Sequence, residues 1–275
     1  MKARFVSFSV LVILLGSVFA HAAQPTYYLA LGDSLAQGVQ PSATGDVITN
    51  QGYADDLYAL LRVHRPSLHL VKLGCPGETT TSMMVGGICP YGEGNQLAAA
   101  VNFLQTHQVA LVTLDIGAND VDGCISVTGI DRTCLTDGLT SVGTNLPQIL
   151  AALRTAAGPD TPIVAMNYYD PFLAAWSLGP AGQTLAEASL KATKIFNREL
   201  KSAYQAFGVP IADVAYAYRI SDFTNVPVVN LPLNVFLTLS WTWMAAPPPL
   251  GPDIHPNAIG YAVIADAFAH KIGKP

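Results

Sequence analysis

The chain has 275 residues, of which 51% are hydrophobic and only 12% charged, and its net charge is −5 at pH 7. That length and apolarity can bury one large core, so one domain is expected. The acidic balance, with no cluster of Lys and Arg, excludes a nucleic-acid binder, which needs a basic stripe.

In chain order, the first segment stands apart. Lys2 and Arg4 precede an apolar run over 5–20, and Ala20-His21-Ala22-Ala23 supplies small residues behind it. A basic start, a short apolar stretch and an A-x-A-like site are the pattern of a secretory signal peptide. The run is short for a bilayer span, which needs about 20 apolar residues. A signal peptide over 1–23 and one mature domain over 24–275 are therefore expected, with the protein secreted or periplasmic and no stable membrane insertion after cleavage. Loss of Lys2 and Arg4 takes the net charge from −5 to −7.

Beyond residue 24, strand-like and helix-like stretches alternate. TYYLALG (26–32) is apolar without alternation, as in a strand buried on both faces. Leu57, Leu60 and Leu61 stand at helical spacing, and LHLVKLG (68–74) reads as the next strand. Leu97, Val101 and Leu104 mark a helix before the strand VALVTLDIG (109–117). A helix is expected over 139–156, kinked or split by Pro147. PIVAMNYY (162–169) is a strand. Leu185, Ala192, Phe196, Leu200, Ala203 and Phe207 form a long helical stripe that Gly208 ends. VPIADV (209–214) is a fifth strand, and a last helix follows Pro256. Such alternation predicts an α/β fold, a parallel sheet covered on both faces. Only 225–250 resists the pattern. It is broken by prolines yet carries Phe236, Trp241 and Trp243, which suits either a packed loop or a lid.

The four cysteines, Cys75, Cys89, Cys124 and Cys134, are an even count in a chain expected to be exported, so disulfides are predicted. Of three possible pairings the local one, Cys75–Cys89 with Cys124–Cys134, closes the shortest loops. A zinc site is the rival, but no C-x-x-C and no nearby histidine pair supports it.

In open parallel sheets ligands bind beyond the carboxyl ends of the strands. The first strand ends in Gly32-Asp33-Ser34, the second in LGCPGETTT, the third in DIGANDVDG, and the last helix is preceded by PDIHPN. A serine, a glycine-rich backbone, an amide and a histidine are thereby gathered at one edge. These are the components of acyl transfer: a nucleophile, a base and donors for an oxyanion.

On these motifs (GDSL at Gly32, PGET around Gly77, GAND around Asn119 and DIHPN around His255, in that order) the chain resembles the SGNH hydrolases of the GDSL esterase/lipase superfamily. The resemblance covers nearly the whole mature chain. It implies a three-layer α/β/α sandwich with a five-stranded parallel sheet, flavodoxin-like in order. It implies hydrolysis of carboxylic esters by a serine mechanism, with no metal, nucleotide or flavin cofactor and a small-molecule or lipid ester as substrate, acting as a monomer. Esterase or lipase is the first expectation; phospholipase A, thioesterase, carbohydrate O-acetylesterase and a non-catalytic secreted binding protein are the alternatives.

Residue by residue, the resemblance implies Ser34 as nucleophile, His255 as base, and an oxyanion hole from the N–H groups of Ser34 and Gly77 and the amide of Asn119. Asp33 and Asp120 are read as structural. The acidic partner of the histidine departs from the family pattern: the position three before His255 is Pro252, and Asp253 stands two before it. Pro256 biases His255 to an extended conformation, where residues two apart point the same way. Either Asp253 meets the imidazole or the Pro252 carbonyl does. Both disulfides are expected to pin loops that carry oxyanion donors, and Phe236, Trp241 and Trp243 to line the acyl pocket.

Overall fold

The computed structural model describes residues 25–273, so the expected signal peptide lies outside the described residues. Five parallel strands form the central sheet: β1 (Thr26–Gly32), β2 (Leu68–Lys72), β3 (Gln108–Asp115), β4 (Ile163–Met166) and β5 (Ile211–Ala212). Their spatial order is β2-β1-β3-β4-β5, the flavodoxin-like order. β1 lies between β2, with Thr26 beside Leu68, and β3, with Gly32 beside Asp115. Buried on both faces, it carries Tyr28, Leu29, Ala30 and Leu31 into the core. Tyr28 can be central because its hydroxyl has a partner, the Thr113 hydroxyl on β3 at 2.9 Å.

Helices cover both faces. The first two are α1 (Ser34–Gln37), a single turn at the end of β1, and α2 (Tyr53–Arg62), which buries Tyr53, Ala54, Leu57 and Leu61. On the far side α3 (Thr80–Val85) and α4 (Gln96–Thr106) pack with α5 (Arg132–Ala157), and α5 packs with α6 (Pro180–Ala206). The short α7 (Val214–Ala217) and α8 (Leu233–Trp241) follow, and α9 (Ala258–Ile272) returns to pack on α2. There Tyr53 stacks on Phe268 with ring centroids 4.8 Å apart.

Pro147 does not split its helix: α5 runs unbroken from Arg132 to Ala157. A mid-helix proline costs about 3 kcal/mol. Around it Val142, Leu146, Ile149, Leu150 and Leu153 are all buried. Each contributes roughly 1.5–3 kcal/mol on leaving water, so tertiary burial outweighs the local defect.

The proline-broken stretch 225–250 is also resolved. Its centre is α8, preceded by the hairpin of Asn225–Val226 with Leu231–Pro232. α8 packs against the 3-10 segment Pro171–Leu178 and against α9. Among the described residues, no helix is long and apolar enough to cross a membrane.

The order β2-β1-β3 puts a topological switch point between β1 and β3, because the chain leaves β1 towards β2 and comes back past it to β3. In open α/β sheets a crevice opens at such a point beyond the strand ends. The turns that follow β1 and β3 meet there.

Candidate active site

The turn after β1 is locked from below. Gly32 has φ +133°, and a Cβ on it would lie 1.7 Å from the Asp115 carbonyl oxygen. Only glycine fits between the two strand ends, which accounts for the first letter of Gly32-Asp33-Ser34. Asp33 is buried and caps α1, its Oδ1 accepting the Leu35 N–H at 2.9 Å while Oδ2 accepts the Tyr168 hydroxyl at 3.2 Å. Ser34 therefore occupies the first position of a one-turn helix, held by a cap that it does not itself provide.

Asp115, the last residue of β3, is the buttress beneath. Its carboxyl accepts the N–H groups of Asp33 and Ala36, at 3.2 and 3.3 Å, and the Tyr53 hydroxyl. Burial pushes it well above the usual carboxylate range, and the neighbouring charge of Asp33 adds to that. Burial raises the Asp33 carboxyl as well, so both acids sit in one buried, weakly solvated part of the core. Sequence reasoning passed over Asp115. Its signal was a lone acid closing an otherwise apolar strand.

The turn after β2 supplies Gly77. Cys75-Pro76-Gly77-Glu78 closes with a Glu78 N–H to Cys75 carbonyl bond of 3.0 Å, and Gly77 has φ +81°. Proline second and a left-handed glycine third are the requirements of a type II turn. The turn is tied to β1 by the Cys75 N–H on the Gly32 carbonyl and by Gln96, whose amide bonds both backbone groups of Gly32 and donates to Glu78.

After β3, Asn119 lies in the 3-10 turn Ala118–Asp120 and donates through Nδ2 to the Glu78 carbonyl at 3.0 Å. The same amide nitrogen keeps a second hydrogen. Asp120 holds the start of α3 through the Thr80 N–H and hydroxyl at 2.8 and 2.7 Å, a structural duty as expected. Neither the Ser34 nor the Gly77 N–H has a partner among the described residues. Three donors near the switch point are therefore unspent.

His255 arrives from the other end of the chain. Asp253–Pro256 is a short strand paired antiparallel with Thr242–Trp243, directly after α8. Asp253 Oδ1 lies 2.8 Å from His255 Nδ1 and also accepts the His255 N–H at 2.8 Å. It is thus the Asp253 carboxylate, and not the Pro252 carbonyl, that meets the imidazole. Burial alone would raise this carboxyl, but the hydrogen bond and charge of His255 outweigh it and hold Asp253 below its ordinary value. A carboxylate can only accept, so Nδ1 carries the hydrogen and Nε2 is left with its lone pair. A third group, Asp46 on the exposed hairpin 40–47, places Oδ2 3.9 Å from Nδ1. Asp46, Asp253 and His255 are the only group of three or more acids, histidines or cysteines among the described residues whose potential ligand atoms lie within 4.8 Å of one another. Nδ1 and Oδ1 are already spent on each other.

Ser34, Asn119 and His255 line one cavity of about 40 Å³, with Asp33, Asp122, Tyr168, Tyr169 and the apolar Val121, Ile125, Leu135 and Phe196 among its other walls. Among the described residues Ser34 Oγ and His255 share no hydrogen bond, although both face this space; such bonds are often long without substrate and tighten in the substrate complex. Gly77 borders the Glu78–Asn119 contact without lining the cavity itself.

A profile of the GDSL-like lipase/acylhydrolase family matches residues 30–263. The chain belongs to this family. It is an ester hydrolase, and its sheet and layers are those of the solved SGNH hydrolases. The extracellular lipase of Streptomyces rimosus is similar at 17% identity and a TM-score of 0.58, over 90% of this chain and 99% of that one. A catalytic mutant of an acetylxylan esterase from Geobacillus stearothermophilus is similar at 16% and 0.57, over 92% and 96%. Phospholipase A1 from Streptomyces albidoflavus NA297 is similar at 19% and 0.55, over 90% and 100%. At these identities the likeness is one of fold. No curated protein matches the chain.

Both disulfides have the local pairing, Cys75–Cys89 and Cys124–Cys134. The first is rooted in the Gly77 turn. The second joins the segment after Asn119 to the start of α5.

The aromatic expectation needs correction. Phe236, Trp241 and Trp243 are absent from the walls of the Ser34 cavity. The two tryptophans support the histidine segment instead: Trp243 pairs with Asp253, and the Trp241 carbonyl accepts the Asn257 N–H at 2.9 Å. The apolar walls come from Val121, Ile125, Leu135 and Phe196, on elements that approach from different parts of the chain. Sequence position alone did not reveal them.

Proposed function

We propose that this hydrolase is a secreted serine esterase that cleaves short-chain carboxylic esters through an acyl-enzyme on Ser34. Ser34 Oγ attacks the ester carbonyl carbon while its proton passes to His255 Nε2. Asp253 holds the imidazole in the right tautomer and stabilises the imidazolium. The negative oxygen of the tetrahedral intermediate is met by the N–H groups of Ser34 and Gly77 and the amide of Asn119, each worth about 3–4 kcal/mol in the transition state. Collapse breaks the bond to the alcohol oxygen, which leaves with the proton from Nε2. Water then repeats the sequence, releasing the acid and restoring Ser34.

The observation that carries this reading is the Asp253–His255 pair, facing the cavity of Ser34 with Nε2 free. Cavity size supports a short acyl group. About 40 Å³ is room for the centres of roughly three waters. A long chain would have to open the walls. The basic and apolar pattern of residues 1–23 and the two disulfides support export.

A fluorophosphonate probe tests the reading. Stoichiometric labelling at Ser34 is expected, lost together with hydrolysis in Ser34→Ala, and p-nitrophenyl acetate and butyrate should be cleaved faster than the palmitate. Absence of label on folded protein would mean a binding protein on this scaffold.

A further inference from the structure

Among the described residues, the wall of the Ser34 cavity contains one carboxyl, that of Asp122, that serves neither the hydrolytic cycle nor a hydrogen bond of the fold. Asp122 opens the single turn Asp122–Cys124, two residues past the Asn119 turn, and lines the cavity with Ser34, Asn119 and His255. The same cavity also has the apolar Val121, Ile125, Leu135 and Phe196 in its wall. The neighbouring carboxyls are all engaged. Asp33 takes the Leu35 N–H and the Tyr168 hydroxyl, and Asp120 takes Thr80. Asp170 takes the Phe172 N–H and the Ser189 hydroxyl, and Asp253 takes His255. The half-buried carboxyl of Asp122 has no hydrogen-bond partner among the described residues. Polar groups withdrawn from bulk water are ordinarily bonded, so an unpaired one in the wall that holds the reacting serine is placed to meet a ligand atom.

We propose that Asp122 determines specificity by hydrogen-bonding a hydroxyl group of the substrate, on its acyl chain or on its alcohol, so that hydroxylated short-chain esters are preferred to plain ones. The proposal rests on the reading of Ser34 as nucleophile. Burial pushes the Asp122 carboxyl up to about 8, and the charges of Asp33 and Asp170 add to that, which favours its protonated form. A protonated carboxyl both donates and accepts, which is the complement of a hydroxyl. Among the described residues no Lys or Arg lines the cavity to hold an anion.

The titratable groups that face Asp122 are Asp33 from the turn after β1, His255 from the 253–256 strand, and Tyr168 and Tyr169 from the segment after β4. Asp170 also acts on it through its charge, whereas α5 and α6 present Leu135, Ala192, Thr193 and Phe196. The Cys124–Cys134 disulfide ties the Asp122 turn to α5, so the carboxyl is carried by a braced element.

Matched ester pairs test this. p-Nitrophenyl 3-hydroxybutyrate against p-nitrophenyl butyrate places the hydroxyl on the acid; 2-hydroxyethyl butyrate against propyl butyrate places it on the alcohol. In the unaltered enzyme one pair should show a kcat/KM ratio of roughly tenfold or more for the hydroxylated member. Asp122→Leu should bring that ratio towards one. Asp122→Asn, which keeps a donor and an acceptor but cannot ionise, should keep the preference and lose its decline above about pH 8. Ratios near one for both pairs in the unaltered enzyme overturn the proposal, as does a preference that folded Asp122→Leu retains. If Asp122→Leu does not fold, a pH decline that persists in Asp122→Asn overturns it. Absence of hydrolysis of all four esters together with absence of label at Ser34 overturns this proposal and the reading beneath it, a result distinct from active enzyme without discrimination.

Discussion

The nucleophile turn and the histidine strand face one cavity, but they are mounted differently. Ser34 stands on the carboxyl end of a central strand. Below it lie Gly32 at closest approach, the Asp33 cap and the buried Asp115, all inside the core. His255 sits on a four-residue strand in a two-stranded ribbon at the margin. That ribbon is held by side-chain bonds from elsewhere: the Tyr169 hydroxyl on the Ile254 carbonyl at 2.7 Å and the Asn257 amide on the Ser240 carbonyl at 2.8 Å. A change under Ser34 therefore propagates into the whole fold, whereas a change under His255 displaces one catalytic group and leaves the sheet intact.

Three substitutions sharpen the contrast, and the largest effect belongs to the nucleophile side. Gly32→Ala forces a Cβ into the Asp115 backbone and a residue with a side chain into φ +133°. A loss of several kcal/mol or outright misfolding is expected, by urea denaturation, together with all activity. A stable, active Gly32→Ala protein would show that the two strand ends are not locked.

Asp253→Asn acts on the histidine side. It should keep the fold and the melting temperature near that of the unaltered protein, yet lower kcat by hundreds-fold to roughly ten-thousand-fold through the wrong imidazole tautomer. A loss below tenfold would pass the orienting role to the Pro252 carbonyl. Because the Asp253 carboxyl lies below its ordinary value, the contribution of the pair to stability is present above the ordinary carboxylate range. It disappears as the pH falls through the lowered value of Asp253.

Trp241→Ala gives the smallest effect. Trp241 packs edge-on against Tyr218 with centroids 5.2 Å apart and lies outside the Ser34 cavity. Activity on acetate and on longer esters should fall together and by less than in Asp253→Asn. A selective loss on the longer esters would return this aromatic region to the substrate.

How far the sequence carries is clearest from particular residues. Both-face apolarity located β1 and β3 to within a residue or two, because a strand covered on two sides has no polar positions to blur its ends. The spacing of cysteines led to the observed pairing. Pro256 and the two-residue separation pointed to Asp253 beside the imidazole. The sequence was mute where a side chain's duty depends on what arrives from far away. The place of Asp115 beneath the Ser34 turn, of Asp122 in the cavity wall and of Asp46 beside His255 is set by segments far from each of them in the chain. The tryptophans of 241–243 read as pocket because apolarity does not say which apolar surface a ribbon will meet.

Periodicity, glycines and the order of four short motifs are local properties of the chain. They determined a parallel α/β sheet, the family, and which residue types would carry the chemistry. Tertiary structure alone decided that Asp33 and Asp115 would lie against each other in the core, and that Asp122 would be left facing the cavity without a partner. Those outcomes depend on burial and on contacts between segments tens to hundreds of residues apart, and burial is a property of the assembled core rather than of any stretch within it.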